Sequence, residues 1–318
     1  METSSTGVGH AARRAGRPGS SQACPSVTKE RPAGTLGTGL MHACCPSTPS
    51  SIRLHLAAFV ATLQPTPASS LAHALGEVHE RLRAAASAGG SAAAAPRLLA
   101  VTKNISSEQA LALVQAGQLD LGENRVDQLE AKAAALAGAG VRWHFIGHIQ
   151  RNKARRVVAL ADTIHSVDSA RLLESIQHHA TELERAPGLF LQLNLTGEGA
   201  KQGLGREQLH ALLGAPPPGP CPLLGLMTMA PLDDEDGSGA RRVFGEVAQL
   251  ARDISADDIL ARRFAAGPLQ LSMGMSRDLE QAVAAGSHWV RLGRAIFPSA
   301  AADSTPSQGA ARSPGDNK

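Results

Sequence analysis

The chain has 318 residues, 43% of them hydrophobic, and a net charge of +3, which is typical of a globular protein with one large or two small domains. Residues 1–60 carry six Lys/Arg against two acidic residues, so the positive charge is concentrated there and the rest of the chain is nearly neutral. A nearly neutral body argues against nucleic acid as a partner. No apolar run reaches the ~20 residues of a membrane-spanning helix, which argues against a membrane protein.

The first predicted segment, residues 1–67, is rich in Ser, Gly, Ala, Pro and Arg and poor in acidic residues. Two interpretations stay open: a disordered leader without an address, or an organelle transit peptide. Cys24, Cys44 and Cys45 fall in this segment, which leaves Cys221 alone in the body and without an internal disulfide partner. We therefore expect a reducing compartment: the cytoplasm, or a plastid or mitochondrion if the leader is a transit peptide.

A helix is predicted from residue 68 to 88, because Leu71, Leu75, Val78 and Leu82 recur at three- and four-residue spacing. Strand-like and helix-like segments then alternate. The predicted strands are 98–102, 119–121, 141–146, 163–167, 189–194, 223–227, 269–272 and 289–292. The predicted helices between them are 106–116, 124–137, 150–161, 169–183, 205–213, 237–253 and 277–285. Candidate helix caps are Ser106 with Gln109, Asp168 and Ser276.

Eight strands with intervening helices predict an α/β fold, a (β/α)8 TIM-type barrel with an extra N-terminal helix, over residues 68–300. The competing topology is an open doubly wound sheet, but no glycine-rich dinucleotide-binding turn follows the first strand. Residues 301–318 are rich in Ser, Pro and Gly and are expected to form a disordered tail.

The ends of three predicted strands indicate the chemistry of the site. Lys103 follows the first strand, where its amine could form a Schiff base with an aldehyde. The seventh strand runs into SMGMS at 272–276 and the eighth into RLGRA at 291–295. Serine hydroxyls, flexible glycines and a helix start in these two loops are suited to a phosphate group. An aldehyde and a phosphate together describe pyridoxal 5′-phosphate (PLP).

These segments resemble the pyridoxal phosphate homeostasis proteins, which are single-barrel relatives of the alanine racemase N-terminal domain. The matching runs cover most of residues 98–297 in order. They are AVTK at 100–103, LGEN at 121–124, WHFIGHIQ at 143–150 with NK at 152–153, QLN at 192–194, KQG at 201–203, GLMTM at 225–229, LSMGMS at 271–276, VRLG at 290–293 and AIF at 295–297.

The resemblance implies a role for each matching site residue. It implies that Lys103 is the Schiff-base lysine, that Arg291 faces the pyridine nitrogen and that Asn124 lines the other side of the cofactor. The phosphate would be held by Ser272 and Ser276, and by the backbone N–H groups of Gly293 and Arg294.

The sequence departs from the family pattern at three places beside the site. Asn104 and Ile105 replace the usual continuation after the lysine, Arg125 stands where an aromatic residue is common, and Pro298 replaces a glycine. We expect these departures to affect the fine tuning of the site rather than cofactor binding.

Whether the chain is an enzyme depends on a second base. The alanine racemases that it resembles use the Schiff-base lysine and a tyrosine from a second domain, and this sequence has no tyrosine. Arg291 beside the pyridine nitrogen would also keep that nitrogen unprotonated, since a guanidinium gives up no proton at neutral pH. An unprotonated ring is a poor electron sink. The expectation is a protein that stores and delivers PLP without robust amino-acid turnover, with apo-PLP enzymes as candidate partners.

Two other function classes remain open. One is a fold-type-III PLP-dependent racemase or lyase with His144 or Cys221 as the second base. The other is a barrel without cofactor that acts as an interaction module. His144 and His148 invite a catalytic interpretation, but strand alternation points His144 into the barrel, where neighbouring groups could satisfy a structural histidine.

Overall fold

The computed structural model describes residues 67–88, 95–196, 202–214, 219–231, 236–265 and 267–297. The strands form one closed barrel in which every neighbouring pair is parallel, and β1 pairs with β8 through Arg97 and Trp289. The strands are β1 (Arg97–Val101), β2 (Asp120–Glu123), β3 (Arg142–Phe145), β4 (Thr163–Val167), β5 (Gly188–Gln192), β6 (Leu223–Met227), β7 (Gln270–Ser272) and β8 (Trp289–Leu292). The predicted barrel is confirmed, and the open doubly wound sheet is wrong.

Helices surround the barrel on the outside. They are α1 (Pro67–Ala88), α2 (Ser107–Gln115), α3 (Val126–Ala135), α4 (Ala154–Leu160), α5 (Ala170–Glu182), α6 (Arg206–Gly214), α7 (Ser238–Ala256), α8 (Asp258–Ala261) and α9 (Leu279–Ala284), with a 3-10 turn at Arg151–Lys153 before α4. The extra N-terminal helix α1 buries Leu75, Val78 and Leu82 and packs against α9 and α2. It therefore covers the outside of the barrel where β8 meets β1.

The predicted elements are present, and the differences lie at their ends. The capping box of α2 is confirmed: the Ser106 hydroxyl accepts the Gln109 N–H at 3.3 Å, and the Gln109 side chain accepts the Ser106 N–H at 3.0 Å. The prediction of Asp168 as an N-cap is wrong by one residue, because Ser169 caps α5. The short helix α8 was not predicted.

The predicted cap at Ser276 is also wrong. Helix α9 begins at Leu279, with Asp278 in the N-cap position. The Asp278 carboxylate accepts the backbone N–H of Met275 at 2.5 Å, so residues 275–278 close a turn of their own ahead of the helix. Ser276 therefore lies in a loop rather than at a helix start.

The interior of the barrel contrasts with the layer between the strands and the helices. That outer layer is a continuous apolar core, with Phe145, Ile164 and Leu121 fully buried in it. Inside the barrel, the buried apolar cluster is small and consists of Leu99, Phe190, Met227 and Trp289. The remaining interior space holds buried polar side chains, which are Asp120, His144, His165, Ser272 and Arg291.

Several predictions fall outside the described residues. These are the leader apart from Pro67, the tail at 301–318, and the departure at Pro298. Within the described ranges, no helix combines the length and apolar character needed to cross a membrane.

Candidate cofactor site

A cavity of about 510 Å³ opens at the C-terminal ends of the strands, which is the functional face of a (β/α)8 barrel. Its volume is in the usual range for a small-molecule site. The side chains and loops that line it come from β1, β2, β3, β6, β7 and β8. Six of the seven predicted site residues line it: Lys103, Asn124, Ser276, Arg291, Gly293 and Arg294.

Lys103 lies in the turn that follows β1, and its side chain is exposed at the cavity. The turn is fixed by its buried neighbour Thr102, whose hydroxyl donates to Glu123 Oε1 at 2.6 Å. Lys132, on the buried side of α3, donates to both Thr102 O and Glu123 Oε1 at 2.6 Å. The backbone that carries Lys103 is thus held from behind by a buried ion pair.

Neither Glu123 nor Lys132 was assigned a role from the sequence. The sequence did contain a signal that Lys132 is buried. Lys132 follows Leu129 by three residues and Val126 by six, so it lies on the buried face of the amphipathic helix α3. A buried lysine requires a partner, and in this fold Glu123 at the end of the adjacent strand supplies it.

The loop after β7 is shaped by Gly274 and Asp278. Gly274 has φ +96°, and its carbonyl accepts the Arg291 N–H at 2.9 Å. A Cβ at this position would also meet the Ala282 side chain at 2.5 Å. After β8, Gly293 O accepts the N–H groups of Ile296 and Phe297, both at 2.9 Å, and Gly293 and Arg294 line the same cavity as Ser276.

Arg291 lines the cavity, whereas Ser272 is buried and does not line it, although the resemblance implied that both contact the cofactor. The buried Arg291 guanidinium lines the floor of the cavity and donates to Ser272 O at 2.7 Å, to Ser272 Oγ at 2.9 Å and to Thr228 O at 2.9 Å. Burial lowers the pKa of Arg291 to about 10, so it remains a cation at neutral pH. Ser272 is fully buried and does not line the cavity, which leaves Ser276 as the serine placed to contact a phosphate.

Asn124 reaches the cavity from the end of β2. Its side-chain oxygen Oδ1 is buried and has no hydrogen-bond partner among the described residues. Gly147 permits this placement, because a Cβ there would overlap the Asn124 carbonyl. A buried acceptor without a donor costs free energy, and a ligand with a donor group beside Asn124 would remove that cost.

Two departures from the family pattern can be located. Asn104 and Ile105 line the cavity beside Lys103. Arg125 is exposed and pairs with Asp127 at 3.0 Å, away from the cavity lining. The first departure therefore touches the site and the second does not.

The residues considered as a second base lie elsewhere. His144 is buried inside the barrel, where neighbouring groups satisfy both ring nitrogens, so the structural interpretation of this histidine is confirmed. His148 pairs with Asp168 at 3.3 Å and does not line the cavity. Cys221 precedes β6, at the opposite end of the barrel, and burial raises the pKa of its thiol to about 11.

The cavity fits PLP in its chemistry. Its ionisable lining residues, within the part of the chain that the structure describes, are Lys103, Arg291 and Arg294, which are all cationic. The amine of Lys103 suits the aldehyde of PLP. The loops that carry Ser276 and Gly293, together with the positive charge of the lining, suit its phosphate. The Asn124 side-chain oxygen, which has no partner among the described residues, could accept a hydrogen bond from a donor group on the PLP ring.

Comparison with known proteins supports the same assignment. The family model of the alanine racemase N-terminal domain matches residues 75–300. The pyridoxal phosphate homeostasis protein of Deinococcus radiodurans is 39% identical over 217 residues, which cover 68% of this chain and 95% of that protein. The protein of the same name from Pseudomonas aeruginosa is 34% identical over 230 residues, covering 72% of this chain and 95% of that protein.

Solved structures agree with the fold. PipY of Synechococcus elongatus, solved with PLP bound, has a TM-score of 0.60 and 33% identity, and covers 71% of this chain and 99% of that one. Alanine racemase of Corynebacterium glutamicum has a TM-score of 0.53 at 14% identity and shares the barrel fold. With its barrel, its cavity and these relatives, the chain belongs to the pyridoxal phosphate homeostasis protein family, whose barrel is that of the alanine racemase N-terminal domain.

Proposed function

We propose that this protein binds PLP in the cavity at the C-terminal face of the barrel and serves in storage and delivery of the cofactor, without robust amino-acid turnover. The observation that carries the proposal is the meeting of Lys103 with Ser276, Gly293 and Arg294 across one cavity. PLP supplies a reactive aldehyde and an electron-accepting ring when bound. The relative from Synechococcus elongatus, solved with PLP bound, supports the same ligand here.

The six predicted site residues at the cavity each have a defined task in this proposal. Lys103 holds the aldehyde covalently, which keeps a reactive group scarce in free solution. Ser276 and the Gly293–Arg294 turn hold the phosphate. Asn124 accepts a hydrogen bond from the ring substituents, and Arg291 donates to the ring nitrogen and so keeps it unprotonated.

The lining also explains why little turnover is expected. Racemisation needs a second proton-transferring group on the face of the substrate opposite the lysine. The described residues that line the cavity include no carboxylate, histidine, cysteine or tyrosine. With Cys221 and His144 both outside the cavity, the described part of the lining offers no second base for racemisation.

The experiment compares transfer with turnover. The PLP-loaded protein is mixed with an apo-form of a PLP enzyme, and recovery of that enzyme's activity is followed against free PLP at the same concentration. In parallel, the loaded protein is incubated with L-alanine and the D-isomer is measured. We expect transfer and no racemisation above the rate of free PLP. Racemisation well above that rate would show that the chain is an enzyme.

Lys103→Ala is the matched variant. It should lose the absorbance band of the covalent link and keep weaker binding through the phosphate contacts.

We also propose apo-PLP enzymes as recipients of the cofactor. The proposed location is the cytoplasm or, if residues 1–67 contain a transit peptide, a plastid or mitochondrion.

A further inference from the structure

A continuous line of hydrogen bonds crosses the inside of the barrel, from its N-terminal end to the cavity. His144 Nε2 lies 3.1 Å from Asp120 Oδ1, and His144 Nδ1 lies 3.0 Å from His165 Nε2. His165 Nδ1 then lies 2.9 Å from Ser272 Oγ, which accepts from Arg291 Nη1 at 2.9 Å. These five side chains, called the interior chain below, come from β2, β3, β4, β7 and β8.

The charges at the two ends determine the direction of every bond. Asp120 is paired with Arg142, at 2.6 and 2.7 Å, and with the more distant Arg97, and these partners and His144 keep its pKa below the ordinary value in spite of burial. An ionised carboxylate only accepts, so His144 must donate through Nε2.

The remaining protons follow from the ring positions. Burial lowers the pKa of His144 and of His165, so both imidazoles are neutral and each carries one proton. With His144 donating through Nε2, its Nδ1 accepts from His165 Nε2–H. His165 Nδ1 is then an acceptor for the Ser272 hydroxyl, and Ser272 Oγ keeps a lone pair for Arg291.

We propose that Asp120, His144 and His165 are positioning residues for Arg291: through Ser272, they fix the guanidinium that faces the ring nitrogen of PLP. Every donor in the interior chain points toward the Asp120 carboxylate, and aligned hydrogen bonds polarise one another. Ser272 Oγ is consequently a stronger acceptor for Arg291 than an isolated hydroxyl. The described residues provide Arg291 with no carboxylate in hydrogen-bond contact, so the interior chain connects this buried cation to a remote anion.

The inference rests on the proposed function, because it assigns Arg291 to the ring nitrogen. The first experiment needs no PLP. Nitrogen-15 NMR of the ligand-free protein, with the histidines labelled, reports which ring nitrogen carries the proton. We expect His144 and His165 both to be neutral with the proton on Nε2. A proton on Nδ1 of His165, or an imidazolium at neutral pH, would overturn the inference.

The second experiment uses His165→Phe and His165→Asn. His165 stacks on Phe190, with ring centroids 4.5 Å apart, so phenylalanine keeps the packing and removes the acceptor. Asparagine keeps an acceptor near the Nδ1 position. We expect His165→Phe to change the nitrogen-15 shift of the PLP ring nitrogen and to weaken PLP binding about five- to ten-fold, the worth of about one hydrogen bond. His165→Asn should keep the contact with Ser272 but not the link to His144, so we expect only a partial recovery of the ring-nitrogen shift and of PLP affinity.

The control is His288→Phe. His288 is half-buried and accepts the Leu271 N–H at 3.1 Å, but it lies outside the interior chain, so its variant should keep the wild-type ring-nitrogen shift. If His165→Phe does not fold, Ser272→Ala removes the same link. An unchanged ring-nitrogen shift in a folded, PLP-loaded His165→Phe protein would refute the positioning role. Failure of the wild-type protein to bind PLP would instead refute the proposed function, while the proton positions in the ligand-free protein would still test the inference.

Discussion

The Lys132 ammonium lies 2.6 Å from the Glu123 carboxylate, and both side chains are almost completely shielded from water. The pair lies directly behind Thr102, the residue that precedes Lys103. Lys103 at the cavity is therefore supported by a second lysine, Lys132, which is buried behind it.

Removing one member of this pair should destabilise the protein severely. Lys132→Met leaves the Glu123 carboxylate buried without its cation, and we expect a loss of about 3–5 kcal/mol in the free energy of unfolding. The double variant Lys132→Met/Glu123→Leu should recover much of that loss. Urea denaturation of the wild type, the single variant and the double variant measures the three free energies of unfolding.

A matched control is an ion pair between α4 and α3. Arg156 pairs with Glu130 of α3 at the surface, so Arg156→Ala should leave the urea midpoint nearly unchanged. An effect of Lys132→Met no larger than that of Arg156→Ala would contradict the anchoring role of the buried pair.

Asn124→Leu should affect the ligand-free and PLP-bound proteins in opposite directions. No group among the described residues donates to the buried Asn124 oxygen, so a leucine of similar size should raise stability without ligand by up to about 1 kcal/mol. PLP affinity should fall, because the ring loses an acceptor. Thermal unfolding without ligand and a fluorescence titration with PLP separate the two effects, and equal affinity in the variant would argue against an Asn124 contact.

Gly274→Ala should disturb the loop after β7, where we propose that Ser276 contacts the phosphate. The substitution strains a residue with φ +96°, at about 1–2 kcal/mol, and pushes its Cβ into Ala282. Gly286→Ala is the control, since Gly286 has φ +87° but open space around its Cβ position. We expect both variants to lose stability, and only Gly274→Ala to lose PLP affinity. Loss of affinity in both would show that general strain, rather than loop geometry, is responsible.

The interior histidines predict a specific pH dependence of stability. Burial, together with the charge of Arg291, holds the pKa of His165 well below its ordinary value, and burial also lowers that of His144. As the pH falls below about 6.5, the unfolded chain binds protons that the folded protein refuses, so the free energy of unfolding decreases. Each such histidine contributes a slope of up to about 1.4 kcal/mol per pH unit until its folded pKa is reached.

Urea denaturation at several pH values between 7 and 5 measures this slope. Acidic pairs such as Asp120–Arg142 titrate below this window, because the pKa of Asp120 is lowered. His288, whose pKa burial also lowers, contributes equally to wild type and variant. We expect His165→Phe to have a shallower slope than wild type, whatever its absolute stability. An identical slope would mean that His165 is protonated in the folded protein.

Much of the barrel follows from local patterns in the sequence, whereas its interior does not. Apolar runs bounded by turns predict all eight strands, and the cavity brings Lys103 together with loops that lie about 170 to 190 residues later. Asp120, His144 and His165, by contrast, lie on three different strands that are far apart in the sequence. Only closure of the sheet brings their side chains into one line.

Ser272 is a second case in which the sequence did not predict the position of a side chain. A serine beside glycine after the seventh strand looks like a phosphate ligand, and so does Ser276 four positions later. Strand geometry directs the Ser272 hydroxyl into the barrel toward His165, and the loop beyond β7 carries Ser276 to the cavity. Residue type alone does not distinguish the two.

The most direct test of PLP binding at this site is borohydride reduction of the loaded protein, followed by peptide mapping. Reduction fixes the cofactor to the amine that holds it. We expect one labelled residue, Lys103, and a labelling yield that falls when inorganic phosphate competes for the loops that carry Ser276, Gly293 and Arg294. A label on any other lysine, or labelling of Lys103 that phosphate does not affect, would contradict this expectation.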